Sequence, residues 1–134
     1  MIPSGHLNSL DRRRILVVED EPDGQEVVAE LLQRHNLITD RAYSAEEALV
    51  FLVQNTYAGA VIDLALPGMD GWGLLRTIRS TPACADLPCI AVTAFHTSKV
   101  RQQAIASGFN AYFPKPLDPE GFVRDLSRVM WRAD

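Results

Sequence analysis

Ile15-Leu16-Val17-Val18 is an apolar run with no polar residue inside it. A strand with one wet face alternates apolar and polar residues. An unbroken run signals burial on both faces, as in a parallel sheet covered by helices on either side. Ala58 to Leu64 repeats the pattern, and so does Cys89-Ile90-Ala91-Val92-Thr93. Leu37 to Ala42 is less apolar and reads as an edge strand, and Ala111-Tyr112-Phe113 as a fifth strand.

The segments between these runs change period from two to 3.6. Pro22 suits the first turn of a helix, where its missing N–H does no harm. Val27, Val28, Leu31 and Leu32 then recur at helical spacing to about His35, with Asn36 ending the helix. Ser44-Ala45-Glu46-Glu47 has the form of a capping box and opens a second helix, Ala45 to about Gln54. Gly71 to about Arg79 places Leu74, Leu75 and Ile78 on one face, and Ser80 to Pro88 reads as a loop. Ser98 to Ser107 forms a thin fourth helix closed by Gly108. Asp118 caps a fifth, with Pro119 at its first position and Phe122, Val123, Leu126, Val129 and Met130 on its apolar face. Five strands alternating with five helices make an α/β protein of (βα)5 form, a three-layer sandwich around a five-stranded parallel sheet.

A length of 134 residues suits one domain. The expected division is a flexible N-terminal tail, 1–13, and a folded domain, 14–134. No apolar run reaches the ~20 residues of a membrane span, and the start of the chain lacks the apolar segment of a secretory signal. The expected location is therefore the cytoplasm. A net charge of −4 argues against direct DNA binding, which calls for a basic stripe. Cys84 and Cys89 are expected to stay reduced. They make no zinc site without nearby histidines, and His6, His35 and His96 are scattered. Trp72 and Trp131 read as packing or surface residues.

Four of the five strands end in groups capable of chemistry: Glu19 and Asp20, then Asp63, then Thr93, then Lys115. In a parallel sheet these ends lie on one edge, where α/β proteins bind their ligands. Three carboxylates crowded there repel one another, and a hard divalent cation such as Mg²⁺ relieves the repulsion. With a lysine and a hydroxyl added, the set suits phosphoryl transfer to Asp63. The Pro- and Gly-rich stretch Leu66-Pro67-Gly68-Met69-Asp70-Gly71 is the turn that places the third helix.

Taken together, Glu19-Asp20, Asp63-Leu64-Ala65-Leu66-Pro67-Gly68-Met69-Asp70-Gly71, Thr93-Ala94 and Lys115-Pro116, each at a strand end, resemble a response-regulator receiver domain of two-component signalling. The resemblance runs from about Arg14 to Trp131. It implies a flavodoxin-like sheet in the order 2-1-3-4-5 and a cis Lys115–Pro116 bond. Asp63 would be the phosphoacceptor. Mg²⁺ would be held by Asp20, Asp63 and the Ala65 main-chain carbonyl, with Glu19 acting through water. Thr93 and Lys115 would hold phosphoryl oxygens, and Ala94 would leave room for them. Thr93 and Tyr112 would form the switch: Thr93 moves toward the phosphoryl group and the aromatic ring turns into the space it leaves. The repacked face of the fourth helix, fifth strand and fifth helix would bind a downstream protein. The phosphoryl donor would be a sensor histidine kinase or histidine phosphotransfer protein. The chain would catalyse only its own phosphorylation and dephosphorylation, as a monomer or weak homodimer. Ala65 and Phe95 are apolar where the resemblance places the route of the hydrolytic water, which implies slow self-dephosphorylation. His96 receives no role.

Two other classes differ in what they need. A phosphorylation-independent docking or dimerisation module would be signalled by loss of Asp63 or Lys115, and both are present. A Mg²⁺-dependent phosphohydrolase needs a second acid for turnover and a substrate-covering cap, and the loops are short.

Overall fold

The structure is a computed structural model and describes residues 11–131. Its strands are β1 (Arg14–Val18), β2 (Ile38–Ala42), β3 (Gly59–Asp63), β4 (Cys89–Thr93) and β5 (Ala111–Pro114). Its helices are α1 (Pro22–Gln33), α2 (Ala45–Gln54), α3 (Gly71–Ser80), α4 (Ser98–Ser107) and α5 (Pro119–Met130). The strands pair in parallel in the order β2-β1-β3-β4-β5, as expected.

The unbroken apolar runs have a simple cause. Alternate residues of each strand point to opposite faces, and both faces are covered. Leu16, Val18, Ala60, Ile62 and Ala91 pack with Ala48, Leu74, Leu75, Ile78 and Ala104 from α2, α3 and α4. Ile15, Val17, Val61, Ile90 and Val92 face the other way, onto Val28 and Leu32 of α1 and Phe122 and Leu126 of α5. β2 lies at the edge and is mostly half-buried, which explains its weaker apolar character.

Local chemistry sets the boundaries. The hydroxyl of Ser44 accepts from the Glu47 N–H at 3.0 Å, while the Glu47 carboxylate accepts from Tyr43 rather than from Ser44 itself. Asp70, Thr97 and Asp118 cap α3, α4 and α5 in the same way. Gly108 closes α4 at φ 116°, a left-handed value that favours glycine. α1 stops at Gln33, short of His35. The chain turns through Asn36, at φ 61°, and the Leu37 N–H returns to the Leu32 carbonyl.

Two features were not anticipated. The loop after α3 contains a short 3-10 helix, Pro82–Cys84. Of the expected tail, residues 1–10 lie outside the described residues, whereas Asp11–Arg13 form a 3-10 turn. Trp131 donates its indole N–H to the Arg12 carbonyl at 2.5 Å, which ties this turn to the end of α5. Both cysteines are free, and burial pushes the Cys89 thiol up to about 12. Among the described residues, no helix is long and apolar enough to cross a membrane.

Candidate phosphoacceptor site

Asp63 is the last residue of β3, at the C-terminal edge of the sheet between the ends of β1 and β4. Its side chain is held at both oxygens. Oδ1 accepts the Ala65 N–H at 2.8 Å, and Oδ2 accepts from Lys115 Nζ at 2.8 Å. The same ammonium also hydrogen-bonds Glu19 Oε1. Lys115 thus bridges carboxylates from β3 and from the end of β1, and both are almost fully buried. A buried carboxylate without such a partner is costly, and the lysine offsets that cost.

Asp20 completes the acidic group. Glu19, Asp20 and Asp63 each bring one carboxylate oxygen within 4.8 Å of the other two. Three hard oxygen donors at that spacing fit Mg²⁺, which takes a few carboxylates and keeps waters on its remaining positions. The electrostatics agree with a crowded anionic site. Burial raises the Glu19 carboxyl above its ordinary value of 4.5; Lys115 lowers it, Asp63 raises it again, and the net direction is up. Burial lowers Lys115, but its hydrogen bonds to Asp63 and Glu19 outweigh that and hold the ammonium above its usual range.

The neighbouring strand ends close the site. Thr93 is buried at the end of β4, its hydroxyl accepting the Phe95 N–H at 3.0 Å. The Thr93 carbonyl accepts the Lys115 N–H at 2.9 Å, which ties the end of β4 to the residue after β5. The Lys115–Pro116 bond is cis, as expected. Ala65, Thr93 and Phe95 line a shallow recess of about 260 Å³ together with Leu64, Trp72, Val100 and Gln103.

The turn after Asp63 is braced from a distance. Gly71 begins α3 where a Cβ would lie 2.4 Å from the Asp63 carbonyl oxygen, so any side chain there would press on the backbone of the phosphoacceptor candidate. The Glu46 carboxylate, from α2, accepts the Met69 N–H at 3.2 Å.

Of the site residues picked from the sequence, Glu19, Asp20, Asp63, Ala65, Thr93 and Lys115 lie at or beside this edge. Tyr112 lies lower on β5, level with Ala91 of β4. Its ring is already buried, and its hydroxyl pairs with His96 Nδ1 at 2.9 Å. His96, assigned no role from the sequence, is therefore the partner of the expected switch residue. The two are 16 residues apart and meet only because the β4–α4 loop runs alongside β5, so no local pattern announced them. Gln25 was also missed. It is fully buried, and Nε2 lies within hydrogen-bond distance of the Val17, Glu19 and Ala42 carbonyls, at 2.9, 3.1 and 2.7 Å. A signal for it existed: it falls three residues before Val28 and seven before Leu32, on the inward face of α1.

Comparison with known proteins agrees with this geometry. The family model described as response regulator receiver domain matches residues 15–127. The chain is 38% identical over 118 residues to an uncharacterised 14.6 kDa protein encoded in the sodA1 3' region of Leptolyngbya boryana, covering 88% of this chain and 90% of that one. It is 33% identical over 116 residues to the transcriptional regulatory protein HprR of Escherichia coli, covering 87% of this chain but only 49% of HprR, so it spans about half of that relative. Among solved structures, the receiver domain of the sensor histidine kinase PA1611 from Pseudomonas aeruginosa, which has a magnesium ion coordinated in its active-site cleft, superposes with a TM-score of 0.81. It shares 28% identity, over 89% of this chain and 98% of that one. With the family model matching most of the chain and the strand order that of solved receiver domains, the protein belongs to the response regulator receiver domains of two-component signalling.

Proposed function

We propose that residues 14–134 form a receiver that takes a phosphoryl group onto Asp63 from a phosphohistidine donor, either a sensor histidine kinase or a histidine phosphotransfer protein. The observation that carries this reading is the two-pronged lysine: Lys115 Nζ spans Asp63 and Glu19, with Asp20 close by. An Asp63 oxygen forms the new O–P bond as the donor's N–P bond breaks, and the leaving imidazole keeps the electron pair and takes up a proton. Glu19, Asp20, Asp63 and the Ala65 carbonyl would hold Mg²⁺. When bound, the ion supplies positive charge against the carboxylates and the transferring phosphoryl oxygens. Lys115 shifts its ammonium from the carboxylate to a phosphoryl oxygen. Thr93 accepts from Phe95 with its oxygen and keeps its O–H free to donate to another.

That donation moves the β4–α4 loop. His96 lies on the loop and holds the Tyr112 hydroxyl, so the displacement reaches β5 directly. The output is a changed face of α4, β5 and α5 that binds a downstream protein, a two-state element biased by ~2 new negative charges.

The test is intact-mass measurement after incubation with Mg²⁺ and acetyl phosphate. Wild type gains one phosphoryl group; Asp63→Asn gains none. An adduct on Asp63→Asn would move the acceptor elsewhere, and no adduct on wild type would favour a docking module. Lifetime is a separate matter. Ala65 and Phe95 offer no hydrogen bond from their side chains to orient an attacking water, so the adduct decays slowly once donor is removed. Ala65→Gln supplies such a group and shortens the half-life on the order of tenfold, the rate equivalent of one good hydrogen bond gained in the transition state. An unchanged decay in Ala65→Gln would remove the explanation.

A further inference from the structure

Gly24 stands in the first turn of α1 with its Cα facing the carboxylate of Glu19. A Cβ built there would lie 2.6 Å from Glu19 Oε1, 2.9 Å from Cδ and 3.0 Å from Cγ. Non-bonded carbon contacts are comfortable only at about 3.5–4.0 Å, so one partner would have to move.

Neither partner is loose. Glu19 is 3% exposed; Oε1 is hydrogen-bonded to Lys115, and Oε2 accepts the Glu21 N–H at 3.2 Å. The helix is anchored one residue on, where Gln25 Nε2 reaches the carbonyls of Val17, Glu19 and Ala42. Those carbonyls belong to the ends of β1 and β2 and to Glu19 itself, so the backbone at 24–25 is fixed to the strand ends that carry the acids. Of the two, the side chain is the softer element. An added methyl would displace the Glu19 carboxylate from Lys115 and from Asp63.

We infer that Gly24 is a positioning residue for the acidic site: its missing side chain is the space that lets a glutamate, one methylene longer than aspartate, serve at position 19. Gly24 acts through Glu19 and touches neither metal nor phosphoryl group. The inference rests on the proposed function for its meaning, but its geometry can be tested on metal binding alone.

The experiment is a double-mutant cycle on the full chain: wild type, Gly24→Ala, Glu19→Asp and the double variant. Each is titrated with Mg²⁺ by calorimetry or NMR, and each is heated to find Tm. Gly24→Ala is expected to weaken Mg²⁺ binding roughly tenfold or more, the loss typical when a group orienting metal ligands is disturbed. Its Tm holds or rises, because alanine is the better helix former. In the Glu19→Asp background, where the shorter side chain withdraws the clashing carboxylate, the same alanine changes Mg²⁺ affinity little relative to Glu19→Asp alone. That rescue separates positioning from a general effect on the helix.

Equal affinity in wild type and Gly24→Ala would overturn the inference. So would a loss of the same size in both backgrounds, or a fall in Tm in both. The acetyl phosphate reaction on the same four proteins keeps the two readings apart. A wild type that binds Mg²⁺ but gains no phosphoryl group overturns the proposed function, while the cycle still decides the role of Gly24. A wild type that binds no Mg²⁺ overturns both.

Discussion

Lys115→Met is expected to destabilise the metal-free protein by about 3 kcal/mol, in the range found when one partner of a buried ion pair is removed. The figure sits at the low end of that range because the lysine side chain keeps 25% of its surface exposed. Methionine keeps the apolar stem and stops one atom short of the ammonium position, so the main element lost is the charged donor. Glu19 and Asp63 then face each other with no cation between them. Glu19 already sits above 4.5 through burial, and Lys115 is the main influence pulling it down. Without the lysine it rises further.

The sign with pH follows from linkage. Between 4.5 and the raised folded value, the native state keeps a proton that the unfolded chain releases, so stability falls as pH climbs through that interval. The fall is larger in Lys115→Met than in wild type. Mg²⁺ acts in the opposite direction: it binds the folded carboxylate cluster, so added Mg²⁺ recovers more stability in the variant than in wild type. Urea unfolding at several pH values, with and without Mg²⁺, measures all three effects. A variant with the wild-type midpoint in metal-free buffer would show that the bridge contributes nothing to stability.

Phe122→Ala has a comparable effect through packing. Phe122 is fully buried under the sheet face formed by Ile15, Val17, Val61, Ile90 and Val92. Its ring meets Phe113 edge-on, with centroids 5.1 Å apart and planes at 72°. Truncation removes the transfer free energy of the ring, leaves a cavity and breaks the aromatic pair, for a loss of about 3–5 kcal/mol. Against a total of about 5–15 kcal/mol for a domain of this kind, that is a large share. The denaturant midpoint should drop with an unchanged m-value. A loss below about 1 kcal/mol would mean that α5 closes onto the sheet and fills the space. Phe113 stands two residues before Lys115, so this variant also loosens the strand that delivers the lysine. Weaker Mg²⁺-dependent phosphorylation is expected alongside the lower stability.

The order of elements was legible because both faces of the sheet are covered. Unbroken runs such as Ile15–Val18 could mean little else, and Ser44, Asp118, Pro22 and Gly108 marked helix ends through local chemistry alone. The candidate site was legible for a related reason: a parallel sheet gathers its strand ends on one edge, so Glu19, Asp20, Asp63, Thr93 and Lys115 needed no distance information to be grouped. Features depending on contact between separate segments were not legible. Glu46 bracing Met69, His96 pairing with Tyr112 and Gly24 facing Glu19 are each ordinary in their own stretch of sequence. Gln25 lies between these cases. Its inward spacing was visible, but its acceptors are carbonyls, which leave no trace in side-chain identity.

The Lys115–Glu19 bond joins residues 96 positions apart, across most of the domain. Closing so long a span is an entropic task that local structure does not ease. The cation therefore reaches its acids only when the last strand has docked. In chain order Glu19, Asp20 and Asp63 all precede the lysine that bridges two of them. The same contact that neutralises the proposed acceptor site thus also couples that site to completion of the fold.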